Sequence, residues 1–571
     1  MFMEIGQYLN QRLVEMGIGH VFGVPGDFNL SYLEQLEQDT NLAFIGNCNE
    51  LNAAYAADGY ARQNGIAALL TTYGVGDLSA INGIAGAYAE GVALVHISGI
   101  PPLHAVNSGA LLHHTLVDGN YQNIMQCMRE FTVAQTRLSP SNAVAEIDRV
   151  LKQCVLQQRP VHIQLPSDIT HIRVEVNHKA LDLSPAQTDP VLLQQTVTQI
   201  LAQLKQAKRP ILLLDHPAST WQLTEVLQQW AEQLNLPYAC LNTTKNIMDE
   251  ASALFAGVYV GAANPQTQVL VEQSDCVIAI GVRFTDVATA FFSQKLHAQQ
   301  MISLNRDTIC IGEQQIVGVG LSELCHALLR RTQQLPQAKI NIQPQPLELV
   351  AADFELEQAL SHAWLWQQIA PFIRADDVIV AEIGTANAGL SSLVFPKSVD
   401  YIAQPIWGSI GYTLPALLGS MLAAPKRRHL LFIGDGSIQL TIQELSTILR
   451  LGLKPIIFVL NNGGYTIERL IMGENARYND VQNWQYSQFA QVFAANQPHQ
   501  AHVVHTHQQL SETLNHVQVS QSLCLIELKL QPMDAPERLK QFGQVVARYD
   551  YGDYGYTKLN QPKQIDYQDA I

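Results

Sequence analysis

The sequence predicts an α/β protein built as three consecutive doubly wound parallel-sheet domains. Three observations carry this expectation. Short apolar runs of strand length alternate along the chain with segments whose apolar residues recur at helical spacing. The runs are apolar at every position instead of every second one, as strands covered on both faces are. Two polar stretches punctuated by Pro divide the alternation into thirds. At 571 residues, 47% apolar and only 15% charged, the chain has the length and composition for several large cores.

In the first third the runs are His20–Val24, Leu42–Ile45, Ala67–Thr72, Val92–Ile97 and Pro160–Leu165. Residues Pro166 to Pro190 read as a linker. The middle third restarts with Ile211–Leu214, Cys276–Ile280 and Met301–Leu304, and a Gln- and Pro-rich linker comes next, from Gln333 to about Leu349. The last third carries Val378–Ala381, Leu430–Ile433, Ile456–Leu460 and a late strand near Leu523–Leu528. The expected domains are residues 1–180, 190–335 and 350–571. There is no short internal repeat. The polar tail after Tyr549 is open to two readings, a cover over the site or a disordered end.

The balance of charge excludes some classes of function. A net charge of −16 supplies no basic field for nucleic acid or anionic lipid. No apolar run is long enough to span a bilayer, and Met1-Phe2-Met3-Glu4 does not open a secretion signal. Eight cysteines without a Cys-x-x-Cys pair read as reduced core thiols, which points to the cytoplasm.

The most informative residues are Gly434-Asp435-Gly436-Ser437 and, further on, Asn461-Asn462. Each group comes directly after an apolar run, and Ile442, Leu445, Ile448 and Leu449 lie between them at helical spacing. An Asp and an Asn therefore end successive parallel strands, where α/β proteins bind ligands. A carboxylate, an amide oxygen and a nearby carbonyl form an oxygen-only set suited to Mg²⁺, an ion often shared with phosphates. Gly436 permits close backbone approach to an anion, and N–H groups opening a helix favour phosphate.

This spacing resembles the diphosphate-and-magnesium motif of enzymes dependent on thiamine diphosphate. The resemblance implies that Asp435, Asn462 and the Gly464 carbonyl hold the metal, while Gly384, Thr385, Gly436 and Ser437 meet the diphosphate. Asn49-Glu50-Leu51-Asn52-Ala53-Ala54-Tyr55 is similar to that family's cofactor-glutamate segment, which makes Glu50 the partner of the aminopyrimidine ring. In Gln404-Pro405-Ile406-Trp407-Gly408-Ser409-Ile410-Gly411, the Gly408 carbonyl would meet the ring amine and Ile410 would bend the cofactor. The resemblance covers essentially the whole chain and is weakest in the middle third.

Val24-Pro25-Gly26-Asp27 and His113-His114-Thr115 resemble the signature of the 2-oxo-acid decarboxylase branch. Gly464-Tyr465-Thr466-Ile467-Glu468 is similar to the corresponding segment of pyruvate and indolepyruvate decarboxylases. The implied catalytic groups are Glu50, Asp27, His113, His114 and Glu468, with Ile467 against the cofactor. The expected reaction releases CO₂ and an aldehyde from a 2-oxo acid. The family further implies a homo-oligomer, with a dimer as the minimal unit and a tetramer common. A carboligase is the alternative within the family, and a non-catalytic nucleotide-binding regulator the alternative outside it. Gly74-x-Gly76-x-x-Ser79 is the nearest approach to a dinucleotide loop and lacks its third glycine.

By the same resemblance, Val287, Asn387, Ala388, Ile467 and Phe542 surround the acyl side chain. Modest residues at Val287, Asn387 and Ala388 favour aromatic or branched-chain 2-oxo acids over pyruvate. Asn387 needs a polar partner there: a substrate group, a water or Thr385. The family's usual GVGELS stands here as Gly74-Val75-Gly76-Asp77-Leu78-Ser79, one methylene shorter. That change would matter if the carboxylate linked sites across a dimer.

Overall fold

The apolar runs fold as the central strands of three sheets in the computed structural model, which describes residues 2–176, 179–333 and 355–560. The first sheet contains β1 (His20–Gly23), β2 (Ala43–Gly46), β3 (Ala67–Thr72), β4 (Leu94–Ile100), β5 (Ala134–Arg137) and β6 (Val161–Pro166). All pairs are parallel, in the order β2-β1-β3-β4-β6-β5. Neighbouring residues of one strand belong to different cores: Phe22 and Leu69 to one, Val21, Ala68 and Leu70 to another. Both faces of the sheet are therefore covered, which is why its strands lack alternation.

The middle sheet holds β7 (Pro210–Leu214), β8 (Tyr238–Leu241), β9 (Phe255–Tyr259), β10 (Cys276–Ile280), β11 (Met301–Leu304), β12 (Thr308–Ile311) and β13 (Gln314–Val317). Its order is β9-β8-β7-β10-β11-β12-β13. The expectation of wholly parallel sheets needs correction here, because β12 and β13 pair antiparallel. A tight turn containing Gly312 at φ 61° joins them, and two strands so closely linked can pair only as a hairpin.

The last sheet holds β14 (Val378–Ala381), β15 (Asp400–Ile402), β16 (His429–Gly434), β17 (Ile456–Asn461), β18 (His499–Val504) and β19 (Leu523–Lys529). They run parallel in the order β15-β14-β16-β17-β19-β18. The expected linker after Pro166 contains a short strand, Arg173–Glu175, which pairs antiparallel with Phe2–Glu4. Most of the second expected linker lies outside the described residues. The tail begins as a helix, Glu537–Asn560, interrupted at Gly552, and the chain beyond Asn560 lies outside the described residues.

One apolar core runs continuously from the first sheet to the last, uniting Phe22, Tyr55 and Leu69 with Tyr412, Leu417 and Val459. Two helices cross at its centre, Glu50–Asn64 and Thr413–Ala423. A Cβ on Gly59 would overlap the Ala416 carbonyl, and one on Gly419 would overlap the Ala56 carbonyl. Glycine is needed at both positions for the backbones to meet. Among the described residues, no helix is long and apolar enough to cross a membrane. All eight cysteines are unpaired.

Candidate active site

A cavity of about 740 Å³ opens at the carboxyl ends of β14, β16 and β17. Its lining brings together Gly384, Thr385, Gly408, Ile410, Asp435, Gly436, Ser437, Asn462, Gly464, Ile467 and Glu468. The expected acyl-pocket residues Val287, Asn387, Ala388 and Phe542 line it too. Strands β14 and β16 are neighbours whose connections leave in opposite directions, which opens a crevice at their ends.

Asp435 sits at the floor, 2% exposed. Its Oδ1 accepts the Gly436 N–H at 2.7 Å, and its Oδ2 accepts those of Gly463 and Gly464 at 2.7 and 3.0 Å. Burial nevertheless pushes its carboxyl up to about 6, against the pull of these bonds and of Arg469. The Asn462 Oδ1 is buried without a hydrogen-bond partner. The Gly464 carbonyl accepts the Thr466 N–H at 3.1 Å and retains a second lone pair. Gly436 must be glycine, because a Cβ there would lie 2.5 Å from the Tyr465 ring. Its N–H donates to the Asp435 carboxylate in this structure. The expected helix after the motif is broken into Asp435–Ile438, a 3₁₀ turn at Ile442–Glu444, and Leu445–Arg450.

Asp27, His113 and His114 form a second cluster, outside the lining of that cavity. The His113 Nε2 lies 2.7 Å from the Asp27 Oδ2, and the His114 Nε2 lies 3.7 Å from the Asp27 Oδ1. Phe28 stacks on His113, with ring centroids 5.0 Å apart. His114 takes a left-handed φ of 61°, uncommon for a residue with a side chain. Gly74 packs directly on the His114 carbonyl, leaving no room for a Cβ. Glu50 opens its helix behind the Asn49 cap, whose side chain accepts the Asn52 N–H. Glu444 accepts from Asn47 Nδ2, Cys48 N and Asn52 Nδ2, and so anchors both flanks of Glu50 to the last domain. Glu50 itself does not line the cavity. Glu468 lines the cavity, whereas Glu50, Asp27 and the two histidines stand outside its lining.

Glu468 makes no ion pair among the described residues, because Arg469 turns instead to the Gly463 carbonyl and Asp480. Asp77 is buried behind the Asp27–His113–His114 cluster and does not reach the surface. It accepts from Thr71, Ser98 and the Gly74 N–H. The open question of Asn387 has an answer that the sequence did not offer: Tyr401 Oη donates to its Oδ1 at 2.9 Å. The sequence also held no notice of Asn242 and Arg538 in the lining, or of Glu382 just behind it. Glu382 accepts from Thr413 Oγ1 at 2.8 Å and Gly411 N at 3.1 Å, and holds the Gln404–Gly411 loop to the end of β14. A carboxylate ending a strand was the available signal for Glu382; Arg538 and Asn242 had none.

Comparison with known proteins matches three regions of the chain to the thiamine pyrophosphate enzymes. The N-terminal TPP binding domain matches residues 3–126, the central domain 197–331 and the C-terminal TPP binding domain 382–528. A putative pyruvate decarboxylase of Schizosaccharomyces pombe is 36% identical across 95% of this chain and 98% of its own length. The pyruvate decarboxylase of Kluyveromyces lactis is 37% identical over the same shares. An alpha-keto-acid decarboxylase of Mycolicibacterium paratuberculosis is 37% identical across 94% of this chain and 95% of its own.

Proposed function

Because the chain belongs to the thiamine-diphosphate-dependent 2-oxo-acid decarboxylases, we propose that it releases CO₂ and an aldehyde from 2-oxo acids larger than pyruvate, of aromatic or branched-chain type. The observation that supports the substrate reading is the cavity of about 740 Å³, whose wall carries the modest side chains Val287 and Ala388. Each methylene buried there favours a larger acid by about 0.8 kcal/mol. Pyruvate is the second reading, favoured by the pyruvate decarboxylases among the relatives. The deciding measurement is kcat/KM for pyruvate, 2-oxoisovalerate, phenylpyruvate and indolepyruvate under one set of cofactor conditions. The larger acids are expected to lead; a clear preference for pyruvate over all three overturns the proposal.

The residues fit the cofactor and its metal. A buried carboxyl pushed towards its neutral form and a buried amide oxygen without a partner both gain from a divalent cation. Asp435, Asn462 and the Gly464 carbonyl would hold Mg²⁺, and Gly384, Thr385, Gly436 and Ser437 would hold the diphosphate. Gly408 and Ile410 would orient the ring, with Ile467 against it and Glu50 bonded to its aminopyrimidine. When bound, thiamine diphosphate supplies the electron sink that no side chain provides. Asp27, His113, His114 and Glu468 would hold and deliver protons at the reacting carbon, and the apolar walls would exclude water.

The Asp27–His113–His114 cluster and the cavity are two half-sites on one chain and need a second copy to meet, so the proposed active unit is a homodimer, able to assemble further into a tetramer. Leu111, Leu116, Val117, Val75 and Leu78 support this reading, because they expose large apolar surface around the first half-site. The proposed domains are residues 1–180, 190–335 and 350–571. A cytoplasmic location belongs to the same reading, supported by eight unpaired cysteines.

A further inference from the structure

The cavity lining holds donors that the fold leaves largely unused. Arg538 lines it from the first turn of the helix Glu537–Asn560, four residues before Phe542 and so on the same face. Its guanidinium donates from Nη1 to the Ser391 carbonyl at 3.3 Å. Among the described residues, no carboxylate lies within ion-pair distance of it. A guanidinium has five N–H donors, so most remain available. Burial lowers the pKa of this group, which is the cost of a cation kept out of water with no anion beside it.

Asn387 lines the same cavity from the helix Thr385–Leu390. The Tyr401 hydroxyl occupies its amide oxygen, which leaves Nδ2 as the group it can offer to a ligand. Ser391 adds no donor, because its hydroxyl donates back to the Ala388 carbonyl at 3.0 Å. The lining thus carries acceptors, Asp435 and Glu468, together with a cation and an amide donor, Arg538 and Asn387. An apolar acyl chain would leave those donors unpaired, whereas a carboxylate would accept from both, in the planar geometry that Arg favours.

We propose that Arg538 and Asn387 form a carboxylate-recognition subsite, so that between acids of equal chain length this cavity favours the 2-oxo diacid over the monoacid. The proposal rests on the decarboxylase reading and refines its choice among the larger acids. Asn242 offers the opposite chemistry, an unpaired Oδ1 on the middle-domain wall, with its Nδ2 held by the Val287 carbonyl at 3.0 Å. An indole N–H would suit Asn242, so the two wall chemistries compete in a measurable way.

The test compares matched acids on the holoenzyme at fixed ionic strength: 2-oxopentanedioate with 2-oxopentanoate, and 2-oxohexanedioate with 2-oxohexanoate. Each diacid should exceed its neutral partner in kcat/KM by about tenfold or more. Arg538→Met should lower the diacid-to-monoacid ratio by about tenfold, mainly through KM, and Arg538→Lys should restore part of it. Tyr401→Phe, which releases the Asn387 amide, should lower the same ratio roughly threefold and gives a second variant should Arg538→Met not fold. Monoacids preferred over their matched diacids by the unaltered enzyme, or a ratio that neither variant moves, would overturn the subsite while leaving the decarboxylase reading intact. No turnover of any 2-oxo acid would overturn both.

Discussion

The first and last sheets have the same strand order, β2-β1-β3-β4-β6-β5 and β15-β14-β16-β17-β19-β18, yet their strand ends do different work. In both, the crevice opens between the first and third strands in chain order. In the first sheet those ends carry Asp27 and the Gly74–Asp77 turn; in the last they carry Glu382–Thr385 and Gly434–Ser437. The first crevice is shallow, with side chains of Asp27 and His113 that are 45% and 59% exposed. The last is roofed by the helix Glu537–Asn560 and by the middle domain.

Two aspartates at equivalent strand ends make the lesson sharper. Asp77 and Asp435 are both buried, and each accepts three hydrogen bonds. Asp77 has an imidazole built in beside it, His96 with Nε2 at 3.4 Å, which holds its carboxyl below the usual range. Asp435 has no such neighbour at close range, and burial drives its carboxyl the other way. Desolvation acts on both; the difference is whether the fold supplies an imidazole beside the carboxyl. Where it does, the carboxylate fixes a turn, and where it does not, the carboxylate waits for a ligand.

The largest expected effect tests whether the two crevices of one chain serve different sites. Glu50→Gln and Asp435→Ala should each lose about 10²–10⁴ in rate with saturating thiamine diphosphate and Mg²⁺. Co-expressed, they should regain roughly a quarter of full activity. A symmetric dimer of the two variants has one site with both lesions and one with neither, and such dimers form about half of the mixture. If each site were built within one chain, every site would keep a lesion and the mixture would stay inactive. Activity of the isolated mixed dimer, against each parent, decides between them.

Next in size is the crossing that sets the two sheets in one frame. Gly419→Val would force a side chain into the Ala56 carbonyl, and the cost should exceed about 4 kcal/mol, as overpacking of a closed backbone contact does. A denaturant midpoint unchanged from the parent would mean that the two helices do not hold the outer sheets together.

Much of this arrangement was legible in advance. Runs such as Ala67–Thr72 and Cys276–Ile280 became strands within the same limits, because burial on both faces writes itself as continuous apolarity. The edge strands Ala134–Arg137 and His499–Val504 were missed, because a half-exposed edge loses that signature. The Asp27–His113 contact joins residues 86 apart and was anticipated only as a resemblance. Tyr401 on Asn387, Arg538 above the acyl pocket and the Gly59–Gly419 crossing had no local signal. Spacing reports which face of an element is buried, whereas these contacts depend on which loops and helices meet.

The smallest expected effect concerns Glu382, which ends β14 as the counterpart of the segment leading to Asp27. Asp27 lies in water, while Glu382 is 2% exposed and burial pushes its carboxyl from 4.5 to about 7, even with Thr413 and Gly411 bonded to it. The sign of its effect on stability comes from proton counting. Between about pH 4.5 and 7 the folded chain retains a proton that the unfolded chain has released. Raising the pH through that window therefore removes stability, by at most about 3 kcal/mol for a shift of this size. Glu382→Gln keeps the shape and a neutral acceptor for Thr413 and Gly411, so it should flatten this fall. Unfolding midpoints of the cofactor-free protein at pH 5 and pH 8 should converge in the variant relative to the parent, with the variant gaining most at pH 8. Asp435 shifts in the same direction, so only the difference between the two proteins isolates Glu382. Parallel pH profiles would place the Glu382 carboxyl in a wetter setting, closer to that of Asp27, and the contrast between the two strand ends would fail at that residue.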